Sequence, residues 1–144
     1  MELENTRIVH AEEDADFDQI FAIREAVFER ELGLAEEKQI DGFDHVAHHY
    51  IMVYNDRAVG VSRWRVTLGG NIRLDRLAVL KEYRSKGYGK ALMQKMLTHI
   101  PKNKTTYLEC LVDQARFFED LGFLVVGDEF DFQGFPHLRM ELKV

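Results

Sequence analysis

Cysteine is nearly missing from this chain. Cys110 stands alone, which excludes an internal disulfide framework and a cysteine zinc cluster. Prolines number only 2, too few to suggest long structureless linkers. No apolar run reaches the ~18–20 residues of a membrane-spanning helix. The stretch from Met1 to Asp18 is acidic and lacks the apolar segment of a secretory leader, so a cytoplasmic protein without a membrane partner is expected. A basic surface is missing too. Lys and Arg total 19 against 25 Asp and Glu, a net charge of -6, which argues against a nucleic-acid partner.

What is present is the balance of a folded domain: 144 residues, 46% hydrophobic and 31% charged, enough for one core over residues 1–144. The charge is unevenly spread. The first 44 residues are strongly acidic, whereas Arg73, Arg76, Lys81, Arg84, Lys86 and Lys90 fall close together. A basic cluster in an acidic protein suggests a small anionic ligand rather than a polymer.

Thr6–His10 reads as a strand. Asp14 and Asp16 are capping candidates for a helix over Asp16–Leu32, with Phe17, Ile20, Phe21 and Val27 at helical spacing and Gly33 as its stop. A polar loop or short helical turn follows through Asp44. Tyr50–Tyr54, Ala58–Thr67 and Ile72–Val79 read as strands joined by tight turns, an antiparallel meander. Leu92, Met93, Met96, Leu97 and Ile100 form a helical stripe closed by Pro101. Thr106–Leu111 is a strand, Gln114–Leu121 a short helix ended by Gly122, and Leu124–Phe130 and Leu138–Lys143 the last strands. The order β-α-β-β-β-α-β-α-β-β predicts a mixed sheet with helices on its faces.

Within Ile72–Val79 the apolar phase changes. Ile72 and Leu74 are apolar at even positions, Leu77 and Val79 at odd ones. A β-bulge would do this and would leave backbone groups available to a ligand; a strand buried on both faces near its end would do it as well.

The run Leu77 to Leu92 is a strand, a glycine-bearing basic turn and a helix start. Gly87 and Gly89 free the backbone to expose consecutive N–H groups, and the helix N-terminus adds partial positive charge. With Arg84, Lys86 and Lys90 this makes an anion cradle suited to a pyrophosphate. It is not a P-loop, because Ala91 follows Gly89-Lys90 and Arg84 stands where the first glycine belongs. Nor is it a dinucleotide fingerprint, whose third glycine is replaced by Leu92.

Arg84-x-x-Gly87-x-Gly89 resembles the Arg/Gln-x-x-Gly-x-Gly/Ala signature of the GNAT superfamily of N-acetyltransferases. Arg76-Leu77-Ala78-Val79 is similar to the strand that this family places before the signature. Phe117-Phe118-Glu119-Asp120-Leu121-Gly122-Phe123 resembles its Phe-Tyr-Glu-Lys-x-Gly-Phe segment. The ending Gly134 to Met140, and Val27-Phe28 with Glu31, Asp41, Asp44, Ala47 and His49, look like small bacterial single-domain members. The resemblance covers nearly the whole chain in order.

It implies a GNAT fold of the α/β (α+β) class, a mixed, mostly antiparallel sheet with a β-bulge and flanking helices. It implies acetyl-CoA as donor substrate, an amine as acceptor, and no metal. Carried over, cofactor contacts fall on the backbone of Leu77, Ala78 and Val79 for the pantetheine arm. Those to the pyrophosphate fall on Arg84, Ser85, Lys86, Gly87, Tyr88, Gly89 and Lys90. Gln114 stands where the family has an asparagine contact, and Phe117 and Phe118 complete the donor set. Acetyl transfer needs a neutral amine, so a base must take its proton. Asp75 is the first candidate and Glu109 the second; a salt-bridged or solvated carboxylate is the alternative for each. The backbone N–H of Leu77 or Ala78 is the expected oxyanion donor. A noncatalytic acyl-CoA-binding or sensing module on the same fold is the competing function. A homodimer fits a small enzyme of this kind.

Other residues carry less. Cys110 reads as a small buried hydrophobe rather than an acyl carrier. His45, His48 and His49 lack metal-ligand spacing. Arg63 and Arg65 share a strand face with Val61 and could take an acceptor carboxylate or face solvent; Trp64 points to the core. His137 could line the acceptor cleft or bond its own turn.

Phe118 departs from the family, which often has a proton-donating tyrosine there. Tyr83, Tyr88, Cys110 or a water could substitute. A thiol of pKa near 8.5 leaves readily as thiolate at neutral pH. Phe118→Tyr is therefore expected to leave kcat nearly unchanged or to harm it. A steady-state measurement showing a gain of about tenfold or more, the lower range of general acid catalysis, would contradict this.

Overall fold

The computed structural model describes residues 3–143. The elements in chain order are β1 (Thr6–His10), α1 (Asp14–Arg24), α2 (Glu36–Gln39), β2 (His48–Tyr54), β3 (Arg57–Val66) and β4 (Ile72–Val79). They continue with α3 (Tyr88–His99), β5 (Thr106–Leu111), α4 (Ala115–Glu119), β6 (Phe123–Phe132) and β7 (Phe135–Leu142). The seven strands form a mixed, mostly antiparallel sheet with flanking helices, as expected. Contacts group the chain into two compact units.

The first unit runs to Arg65 and includes Arg76–His99. Its strand order is β1-β2-β3-β4. One sheet face carries Ile51, Val53, Val61 and Ala78, packed against Ile20, Ile23 and Val27 of the first helix. The alternating residues face α3, whose Leu92, Met93 and Met96 are fully buried.

The first helix starts two residues before the expected Asp16, because Asp16 caps from inside the first turn. Its carboxylate accepts from the N–H groups of Glu12 at 3.2 Å and Glu13 at 3.3 Å. After Arg24 the winding changes to a π-helix over Glu25–Glu31, a feature that apolar spacing does not reveal. Leu32 N–H reaches five residues back to the Val27 carbonyl at 3.0 Å.

The second unit comprises Val66–Asp75 and Ile100 onward, with strand order β4-β5-β7-β6. β4 and β5 pair in parallel at Ile72↔Thr106 and Arg73↔Tyr107, and β5, β7 and β6 pair antiparallel. Ile72, Leu74, Leu108, Cys110, Phe118, Phe123 and Met140 form its buried interior. α4 is shorter than expected because Val112–Gln114 is a 3-10 turn. β6 and β7 are longer than expected because Gln133 and Gly134, at φ 55° and 85°, close a two-residue hairpin turn.

Arg76 has φ 53° within β4, a left-handed residue inside a strand. This break is the local irregularity that the phase change suggested, and it costs an L-residue roughly 1–2 kcal/mol.

Gly60 marks a close approach in the first unit. A Cβ there would lie 3.2 Å from Leu92 Cδ1 and 3.3 Å from the Ala78 carbonyl oxygen. Gly60→Val is expected to destabilise the protein by about 1–3 kcal/mol through overpacking. Urea unfolding checks this, and an unchanged midpoint would contradict the packing described.

Candidate active site

In the first unit, β4 leads into the basic turn. Ala78 is buried at the helix-facing core, and Leu80 N–H donates to the Val59 carbonyl at 2.9 Å, keeping the strand end on β3. A single 3-10 turn, Lys81–Tyr83, follows. Ser85 and Gly87 take φ 62° and 88°, so the chain doubles back before α3 begins at Tyr88. Ala91 N–H donates to the Gly87 carbonyl at 3.0 Å, the opening bond of the helix. The N–H groups of Tyr88, Gly89 and Lys90 thus lie in the first turn, ahead of the intrahelical ladder. A Cβ on Gly87 would meet nothing closer than Leu3 Cδ2 at 3.8 Å. The space over the turn is open, and Lys86 and Lys90 are exposed beside it.

Arg84 is exposed, yet its guanidinium is taken up by other groups of the chain. Its two terminal nitrogens donate to the Glu31 carboxylate, each at 2.6 Å, and Nε donates to the Val79 carbonyl at 2.9 Å. This fork ties the π-helical end of the first helix to the strand and the turn. The Arg84 hydrogen bonds hold Glu31 below the usual carboxylate range, against partial burial. Sequence spacing identified Arg84 as cradle charge but gave no sign of Glu31 as its partner.

The two tyrosines considered as proton donors have other partners. Tyr83 Oη accepts from Arg57 Nη1 at 2.9 Å. Tyr88 is buried beside Tyr54, and burial pushes its phenol upward.

Behind the acidic loop lies a network whose members sequence reasoning named in part but did not join. Arg24 and Arg63 are both fully buried. Arg24 Nη1 meets Asp44 Oδ1 at 2.7 Å, its Nε donates to Gln39 Oε1 at 2.8 Å and its Nη2 to the Gln39 carbonyl at 2.6 Å. Arg63 Nη1 bridges Asp41 Oδ1 at 3.0 Å and Asp44 Oδ1 at 2.9 Å, while Nη2 reaches Asp41 Oδ2 at 2.7 Å. Arg76 joins through Nε to the Gln39 carbonyl at 2.8 Å and Nη2 to Asp41 Oδ2 at 3.1 Å. Arg63 is therefore neither solvated nor open to an acceptor carboxylate. Arg65 instead sits 3.8 Å over the Phe43 ring. Arg63, a charged residue amid the buried positions of β3, was the available signal.

Burial acts to raise Asp41 and Asp44, but the arginine hydrogen bonds and charges outweigh it and hold both carboxyls below their usual range. His49 is buried, with Nε2 donating to the Asp44 carbonyl at 2.9 Å, and burial holds it below the usual histidine value. His48 stacks on the buried Trp64 at 4.1 Å.

In the second unit, Arg73 brings the two candidate bases onto one cation. Nε lies 3.3 Å from Asp75 Oδ2 and Nη1 lies 2.8 Å from Glu109 Oε1. The Asp75 side chain is 10% exposed and that of Glu109 32%. Gln114 is exposed at the end of its 3-10 turn. Phe117 is half exposed and packs edge-on to the buried Phe118, with ring centres 4.9 Å apart. Cys110 is buried 3.7 Å from Met140 Sδ, and burial with the Asp113 charge pushes its thiol up to about 11, which suits packing rather than acyl transfer. His137 Nδ1 donates to the Phe135 carbonyl at 2.9 Å, so it serves its own turn.

The family described as Acetyltransferase (GNAT) domain matches residues 12–144. The chain belongs to the GNAT acetyltransferases. YyaT of Bacillus subtilis (strain 168) is 31% identical to this GNAT chain over 137 residues, covering 91% of each. The crystal structure of Escherichia coli ElaA superposes with a TM-score of 0.84 at 24% identity, over 96% of this chain and 98% of that one. A GNAT family acetyltransferase from Elizabethkingia anophelis, solved with acetyl-CoA bound, superposes with a TM-score of 0.72 at 13% identity, over 98% and 99% of the two chains. The family membership supports acyl transfer in general; the structural likenesses show the fold.

The carboxylates of the network set the response to acid. Groups held below their free values stabilise the protein above those values, and the contribution is lost as pH falls through the folded ones. Stability should first decline below about 6.5 as His49 is forced to charge, then more steeply below about 4 as Asp41 and Asp44 protonate. Asp44→Asn, which leaves the buried Arg24 without its carboxylate and Arg63 with Asp41 alone, is expected to cost about 3–5 kcal/mol at pH 7 and to flatten the lower decline. Urea midpoints between pH 3 and 8 check both; a parent midpoint that is flat below pH 4 would contradict the network's role.

Proposed function

We propose that this protein, acting as a single domain, is an acetyl-CoA-dependent N-acetyltransferase that acts on a primary amine by direct attack in a ternary complex. The observation that carries this reading is the open turn at Gly87 with the first-turn amides of α3 behind it and a strand broken at Arg76 before it. Backbone N–H groups over residues 85–90, with Lys86 and Lys90, fit a pyrophosphate. The backbone of Leu77, Ala78 and Val79 suits an amide-bearing arm that adds as a strand does.

Each unit is assigned its own roles. In the first, Leu77 N–H donates to the oxygen that gains charge when the amine adds to the thioester carbonyl. In the second, Asp75 takes a proton from the acceptor ammonium to free the lone pair that attacks, with Glu109 as the alternative acceptor on the same arginine. Gln114, Phe117 and Phe118 are the donor-contact residues assigned in the second unit. The new N–C bond forms first; the C–S bond breaks as the oxyanion collapses to the amide, and the thiolate departs without a tyrosine at 118 to protonate it. That missing hydroxyl favours the second reading, an acyl-CoA-binding module without turnover. Release of free thiol from acetyl-CoA against a library of amines separates the two.

CoA should raise the melting temperature, since a ligand that binds only the native state stabilises it by about 2.7 kcal/mol at a hundred times its Kd. Gly89→Glu should abolish that shift. The added carboxylate repels the pyrophosphate, yet an acid in the first turn suits the helix, so the fold should survive. A parent with no shift and no calorimetric binding at saturating CoA would overturn the reading, and an unimpaired Gly89→Glu would misplace the cradle.

A further inference from the structure

Arg76 holds a backbone conformation that a residue with a Cβ resists, with φ at 53° in the middle of β4. The next three residues are those assigned to the donor's arm. Strand side chains and backbone groups alternate in direction, so a single left-handed residue decides which way the amides after it point. The Arg76 side chain does not extend into solvent. It is 16% exposed and reaches back to the Gln39 carbonyl at 2.8 Å and to Asp41 Oδ2 at 3.1 Å. Asp41 is in turn fixed by two bonds from the fully buried Arg63 and by the Phe43 N–H at 3.1 Å. The strut thus ends on a rigid footing within the first unit.

We propose that Arg76 is a positioning residue for donor binding: its strut to Gln39 and Asp41 holds the left-handed turn that aims the Leu77–Val79 backbone at the pantetheine arm. This rests on the donor reading above. The side chain acts through the backbone of its own strand and makes no contact with the thioester. It follows that a residue that adopts the turn freely does not need the strut. Glycine populates positive φ about as readily as negative, whereas alanine does not.

Two variants separate this role from general stabilisation and from direct ligand contact. Arg76→Ala removes the strut and keeps the resistance to the turn; Arg76→Gly removes both. Calorimetric titration with CoA is expected to show Arg76→Ala about tenfold or more weaker than the parent, equivalent to about 1.4 kcal/mol. Arg76→Gly is expected to recover most of that loss, to within about threefold of the parent. Thermal denaturation run alongside reports any shared loss of stability, which by itself would not order the two affinities this way. Equal weakening of both variants would show that the guanidinium itself meets the donor, and would overturn the proposal. No weakening of either would overturn it too. If Arg76→Ala does not fold, Arg76→Gly alone decides: near-parental CoA affinity supports the strut, and a loss of about tenfold overturns it. A parent that fails to bind CoA removes the donor reading and this one together, whereas a binding parent with indistinguishable variants removes only this one.

Discussion

Two arginines with no access to water, Arg24 and Arg63, impose the main constraint on the first unit. A buried guanidinium without a counter-charge costs several kcal/mol, so the chain must bring carboxylates inward. Asp41 and Asp44 do this, and the loop that carries them is drawn across the end of the first helix, β3 and β4. Such a network is poor evidence for added stability, because desolvation offsets most of the attraction. Its effect here is positional. In this arrangement of the loop Gln39 and the two aspartates meet all three arginines at once, with Arg76 in the left-handed turn.

A second fork repeats the logic at the other end of the strand. Glu31, at the end of the π-helical segment, grips Arg84, which also bonds the Val79 carbonyl. The strand residues Leu77–Val79 are therefore bracketed by two charged clamps, one at Arg76 and one at Arg84. Arg84 takes the Val79 carbonyl and β3 pairs along one edge, so the backbone groups on the other edge of Leu77–Val79 are those offered to a ligand. Pre-organisation of this kind reduces the ordering cost on binding. It also explains how an anion cradle can stand in a protein with a net charge of -6: most of the acid is consumed by internal pairing or lies on the first 44 residues.

The order of elements along the chain, the glycine turn and the β4 irregularity were legible in the sequence because each leaves a local trace. Strands alternate with period two, Gly87 punctuates, and the apolar phase changes after Leu74. The π-helix was not legible, since the apolar residues of Asp16–Leu32 fit ordinary helical spacing well enough. The arginine network was half legible. Asp41, Asp44 and His49 stood out through family resemblance, and Arg63 through its place on an apolar strand. What joined them was a fold-back of the loop over residues 33–47, which no periodicity encodes. The acidic side of the site shows the same limit. Asp75 and Glu109 were named from their strands, and their meeting on Arg73 follows from β4–β5 register, a property of pairing rather than of either segment.

Backbone hydrogen exchange with and without saturating CoA tests the central claim most directly. If the clamped strand and the turn receive the donor, the amides of Leu77 and Val79, which alternate with the β3-facing N–H of Leu80, and those of Tyr88, Gly89 and Lys90 should slow together on binding. CoA that binds while these amides keep their free rates, with protection appearing elsewhere, would contradict the account.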